Sequence, residues 1–125
     1  MASMKEPVDR CAEVAWVGKA KEELLAFPTQ VVKDFGRSLR HLQRGEPPRL
    51  ESRPMPSIGP GAFELKDGDE RAWYRLVYLS VLDGVIYVLN CFEKSSRKTD
   101  RRDLQTAKSR MAIARKIAQE RREKR

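Results

Sequence analysis

Histidine, cysteine and long apolar runs are what this chain has least of, and each shortage removes a class of function. The single histidine, His41, stands in a helical segment among arginines. It leaves no pair of imidazoles for a metal and no base beside a serine or cysteine nucleophile. Two cysteines, Cys11 and Cys91, are too few and too far apart for a metal site or a redox CxxC pair. Cys91 lies within an apolar stretch and reads as a small, buried, inert residue. No apolar run approaches the roughly 20 residues of a membrane helix. The opening MASMKEPVDRCAEVAW lacks the apolar centre of a secretory signal, so a cytoplasmic protein with no membrane partner is expected. No GxxxxGK[ST] loop, no GxGxxG turn and no HExxH motif occurs, and the carboxylates are too scattered for a Mg²⁺ constellation. Neither a metal nor a cofactor is expected.

What the chain does have is cationic charge, unevenly placed. Its 125 residues suit one domain over 1–125, and 40% hydrophobic residues beneath 35% charged ones suffice for a compact core. The net charge is +8. Positions 94–125 hold 13 Lys and Arg against four acidic residues, or +9, so the remaining 93 positions sum to −1. An excess confined to the last quarter favours an anionic partner, with nucleic acid first, an acidic protein second and a membrane surface third.

Periodicity divides the chain into seven elements. EVAWV, 13–17, is short, β-branched and aromatic, as a strand should be. Positions 19–26 supply good helix formers. A second helix opens at Pro28, where Val31, Val32, Phe35, Leu39 and Leu42 recur at helical spacing, and stops at Gly45 before Pro47 and Pro48. Joined at Phe27-Pro28, the two should form an antiparallel hairpin. Positions 46–61 carry five prolines and read as a loop, because proline cannot donate a ladder hydrogen bond. Strands are expected at 62–66, 71–82 and 85–93, the last two joined at Asp83-Gly84, a type I′ turn signal. Thr99-Asp100 then opens a basic final helix with Leu104, Ala107, Met111, Ala114 and Ala118 on one stripe. The order β-α-α-β-β-β-α gives an α+β fold, an N-terminal strand and helical hairpin packed on an antiparallel sheet.

Within YRLVYLSVLDGVIYVLNCFEKSSRKT, 74–99, a two-residue turn pairs residues whose numbers sum to about 167. Arg75 then lies opposite Phe92, with Lys94 just beyond and Lys66 near if its strand is the neighbour. Arg71, Arg97 and Lys98 would line the rim. Such cations either meet an anion or pair with a carboxylate, Glu64 or Glu93 for Arg75, and the sequence leaves both open. In the first case, a lysine whose pKa is lowered by its cationic neighbours could take the proton of a ribose 2′-hydroxyl. An arginine could then stabilise the pentacoordinate phosphate, giving metal-free RNA cleavage. Tyr74 or Tyr78, on the other strand face, could stack on a base or share in proton transfer.

Taken together, FELK, YRLVY, the DG hairpin, VIYVLNCFEK and SSRKT before a final helix resemble the RelE/ParE superfamily of toxins. More narrowly they resemble its phage-derived Gp49-like, HigB-type branch, over about 13–115. WVGKAKEELLAFPTQVVKDFG is similar to that branch's opening. The resemblance implies a RelE-like fold and a ribosome-dependent mRNA endoribonuclease (an mRNA interferase) that inhibits translation and growth, so Arg75→Ala and Lys94→Ala would each relieve growth arrest with the fold intact. It also implies a cognate antitoxin of the helix-turn-helix, HigA-like type as partner, besides ribosome and mRNA. By position, Arg75 matches the phosphate-binding arginine, Lys66 a basic residue ending the preceding strand, and Lys94 the cation ending the last long strand. Lys98 belongs to the KT pair. On this reading Arg101, Arg102 and Lys108 of the final helix join Arg71, Arg97 and Lys98 in docking on RNA. The sequence departs from the pattern at Glu64, which is basic in the best-studied nucleases, at Ser95, where some members carry a second arginine, and in a last helix that replaces a C-terminal tyrosine able to act in catalysis. A gyrase-inhibiting, ParE-like protein without RNase activity, or a relic that binds only its antitoxin, are the alternatives.

Overall fold

Apolar residues alternate along both central strands toward two different sets of helices, and this decides the layering. The computed structural model describes residues 11–68, 72–94 and 99–124. Strands β1 (Glu13–Trp16), β2 (Glu51–Pro54), β3 (Ala62–Gly68), β4 (Trp73–Leu82) and β5 (Val85–Lys94) form one sheet in the order β1-β5-β4-β3-β2. Helices α1 (Ala20–Leu25) and α2 (Thr29–Gln43) cover one face; α3 (Arg101–Glu123) covers the other. The fold is α+β and consistent with a RelE-like fold.

The first face buries Leu65, Leu76, Ile86 and Val88 against Ala20 and Leu24 of α1 and Val31, Phe35 and Leu39 of α2. The α2 residues recur every four positions, the stripe of a helix half-buried on a sheet. That helix ends in a Schellman motif. Gly45 sits at φ +77°, its N–H reaches Leu42 O, and the Glu46 N–H reaches His41 O. The second face buries Val77, Leu79, Val85, Tyr87 and Leu89 against Ala107, Met111, Ala114 and Ala118. Alanines at three of those four positions let α3 lie close to the sheet.

Two expectations need correction. The proline-rich stretch contains an edge strand, β2, paired antiparallel with β3 from Glu51↔Lys66 to Pro54↔Phe63. An edge strand uses the ladder on one side only, so a proline at its end costs it no partner. Beyond it Met55 and Ile58 turn inward and enter the second core, so half of the expected loop is packed structure. The sheet is also mixed rather than antiparallel. β1 runs parallel to β5, Glu13↔Val85 to Trp16↔Val88, covering the side of β5 that β4 leaves open.

Candidate functional site

Asp83 and Gly84 both have positive φ, +55° and +79°, as a type I′ turn demands. From that turn the strands run away together and pair Arg75 with Phe92 and Trp73 with Lys94 at the far end. The pairing is not uniform: irregularities fall between Leu79 and Leu82 and between Val77 and Tyr78, in opposite senses. They cancel, so the far end keeps the register that the turn alone dictates. On the other side of β4, Lys66 pairs with Arg75, Glu64 with Val77 and Gly68 with Trp73. Directly paired residues share a face, so Glu64, Lys66, Trp73, Arg75 and Lys94 all stand on the side that α3 covers. Helix α3 begins at this end, where Asn90 Nδ2 donates to Asp103 O at 3.2 Å, and finishes beside the turn, where Arg122 pairs with Asp83.

Arg75 lies beneath the surface. It is 1% exposed, as is Glu64, and its Nη1 donates to Glu64 Oε1 at 3.0 Å and Thr99 Oγ1 at 3.2 Å. The Thr99 hydroxyl in turn donates to Glu64 Oε2 at 3.2 Å, and Arg53 Nε reaches Glu64 Oε1 at 3.3 Å from the edge strand. One buried carboxylate therefore holds two guanidiniums, one inside and one exposed. Of the two carboxylates open to Arg75 in the sequence, the fold selects Glu64, since Glu93 pairs with Tyr74 and stands on the opposite side.

The reachable cations surround this pair. Lys66, half-buried, is 3.6 Å from Glu51 Oε1, and its ammonium lies 4.9 Å from the centroid of the Trp73 ring. Such a cation–π contact contributes about 0.5–1 kcal/mol at an exposed position. Trp73 is 39% exposed, and its six-membered ring fills the space where a Cβ on Gly68 would stand. Lys94, the β5 partner of Trp73 in the register, is half-buried. Arg101 and Arg102 in the first turn of α3, and Lys108 further along, are exposed. The positive end of the α3 dipole adds to the same field. Asp103, in that first turn, has its carboxyl pushed above the usual range by burial, with Lys94 pulling the other way.

The two tyrosines are not part of this surface, which corrects the expectation that either could stack on a base. Both are buried on the opposite face. The Tyr74 ring packs on Phe27 at 4.9 Å, and Tyr78 stacks on Phe63 with its hydroxyl 3.0 Å from Ser52 Oγ. Burial pushes the Tyr78 phenol up, and the Ser52 hydrogen bond only partly opposes it. Cys91 is buried, as expected, and burial together with the Glu23 carboxylate drives its thiol far upward. Arg71, Ser95, Arg97 and Lys98 lie outside the described residues. Among the described residues, no three His, Cys, Asp or Glu side chains gather as a metal would require. Sequence reasoning missed Arg53 and Trp73. Arg53 was hidden by the prolines on either side of its strand. For Trp73 a signal was available: it precedes Tyr74 in a strand whose odd-numbered positions share the face of Arg75.

A five-stranded mixed sheet with a helical hairpin on one face, a basic helix on the other and cations at one sheet end defines an α+β protein of RelE-like form. Residues 22–112 match the family described as phage-derived protein Gp49-like, and the match spans more than two thirds of the chain. The protein belongs to that family, a RelE/HigB-like toxin family, and this membership is consistent with the toxin of a toxin–antitoxin pair. No curated protein matches the chain.

Proposed function

We propose that this protein is the toxin of a type II toxin–antitoxin system and cleaves mRNA on the translating ribosome. The observation that carries the reading is the convergence of Lys66 and Lys94 at one sheet end, with Arg53 beside them and Arg75 held behind by Glu64. Cleavage of this kind needs no redox or group carrier. A ribose 2′-oxygen attacks the adjoining phosphorus, the bond to the 5′-oxygen breaks, and a 2′,3′-cyclic phosphate remains. The 2′-proton leaves to a base and the 5′-oxygen takes one up. Cations fixed around the phosphate stabilise the charge that develops on it. On this reading Lys66 and Lys94 are the cations that contact RNA phosphates, while Arg75, paired with Glu64, braces the strands beneath them. Arg101, Arg102 and Lys108 extend the cationic surface for docking on ribosomal RNA. A helix-turn-helix antitoxin would neutralise the protein by covering this face or by blocking entry to the ribosome.

Primer extension on mRNA after brief expression tests the reading. Translation-dependent, codon-linked cuts are expected, falling about 10²- to 10³-fold in Lys94→Ala and in Lys66→Ala. Growth arrest undiminished in both variants would remove the proposed active site. DNA-damage signals without mRNA cuts would favour a gyrase inhibitor, which has no use for the cations at the sheet end.

A further inference from the structure

Trp73 is one of two tryptophans, and it is placed where a core has no need of it. Its ring lies over Gly68, the one residue type with no Cβ to collide with it, so the indole is held against the backbone of β3. Lys94 is its direct neighbour on β5, and Lys66 reaches it from β3. The two strands that bear these lysines flank β4, from which Trp73 rises, and are two strand spacings apart, about 10 Å. Arg53 stands one strand further out, exposed at the sheet edge. A large aromatic face with Lys66 against it, Lys94 on the paired strand and Arg53 further along the sheet edge repels cationic partners and offers a purely apolar one little. It fits a planar group attached to an anionic backbone. In a duplex both faces of each base are already stacked, so only an unpaired base can use such a shelf.

We propose that Trp73 is a stacking shelf for an unpaired nucleobase of single-stranded RNA, with Lys66 and Lys94 taking the phosphates on either side. Binding exchanges the weak contact of the Lys66 ammonium with the indole for two others. The base covers the ring, and the ammonium moves to the phosphate of the same nucleotide. This rests on the nuclease reading for its biological substrate, but binding can be measured without ribosome or cleavage.

Trp16→Phe leaves Trp73 as the sole indole, so its fluorescence reports on the shelf in the full-length protein. A ten-nucleotide oligouridylate should quench it, whereas a double-stranded RNA of equal charge should quench it little. Trp73→Ala should weaken oligouridylate binding, followed by a label on the RNA, about 5- to 150-fold. Trp73→Phe, which keeps a ring, should recover most of the loss. Equal quenching by duplex RNA or heparin would overturn the shelf in favour of charge alone. So would binding weakened less than twofold in Trp73→Ala, even with mRNA cleavage intact. A Trp73 signal moved only by a co-purified protein, and never by RNA, would overturn it in favour of a protein contact. Quenching by single strands without any translation-dependent cuts would leave the shelf standing and sink the nuclease reading. Because the quenching experiment needs no change at position 73, it holds even if Trp73→Ala fails to fold.

Discussion

Arg75 and Glu64 are both shut away from water, and such a pair is stable only while both members are present. Removing one member of a buried pair typically costs about 3–5 kcal/mol, because the charge left behind has lost both its solvent and its partner. Thr99 and Arg53 would remain on Glu64 and soften the loss. Arg75→Ala is therefore expected to lower stability by about 2–4 kcal/mol, read as a shift in the urea midpoint. This changes the expectation drawn from sequence, that the variant would keep its fold. Loss of growth arrest in Arg75→Ala reports on folding first, whereas Lys66 and Lys94, half-exposed, report on chemistry. A midpoint unchanged in Arg75→Ala would show that the pair contributes nothing to stability. Arg53 entered the site because a strand proved compatible with prolines at its margins. Trp73 entered because exposure is a property of the folded surface and not of alternation alone.

At the scale of elements, the open edge of β5 is the point of weakness. β1 pairs only as far as Val88, and beyond it the outward-facing groups Leu89 O and Cys91 N–H would lie bare. A clamp covers them. Arg110 of α3 donates to Leu89 O at 2.9 Å, and Glu23 of α1 accepts from Cys91 N–H at 3.1 Å. The two side chains close on each other with bonds of 2.8 and 2.9 Å. Gly18, at φ +58°, leaves room for the guanidinium, since a Cβ there would come within 3.1 Å of Arg110 Nε. Charged hydrogen bonds of this kind are worth about 1.5–3 kcal/mol. Arg110→Ala and Glu23→Ala should each lose about that much, and the double variant should lose clearly less than their sum. Additive losses in urea titrations would mean the two side chains act independently. Exposed edges also pair between molecules, so the single variants should elute partly as larger species in gel filtration.

Over the whole molecule, the excess of positive charge divides between holding α3 down and facing outward. Arg110, Arg115, Arg121 and Arg122 tie the helix to Glu23, Pro60 O, Glu13 and Asp83. In its N-terminal third Arg101, Arg102 and Lys108 stand exposed. Binding to single-stranded RNA should weaken steeply with salt, with a slope near −0.7 per phosphate neutralised. Lys94→Ala should reduce that slope by about 0.7, while Lys124→Ala, at the far end of the helix, should leave it unchanged. Equal effects from both would mean that RNA reads the net charge of +8 and not the sheet end. The sequence by itself determined the helices, the central hairpin, its register at the far end and the charge asymmetry. Each of these is written in neighbouring residues: apolar spacing, a turn that accepts positive φ, a run of like charge. Tertiary structure alone decided that Arg75 takes Glu64 rather than Glu93, that β2 brings Arg53 to the same carboxylate, and that the face of both tyrosines is sealed while Trp73 stays exposed beside Lys66. Those choices depend on which strands become neighbours and which face each helix covers, and no local pattern in the chain encodes either.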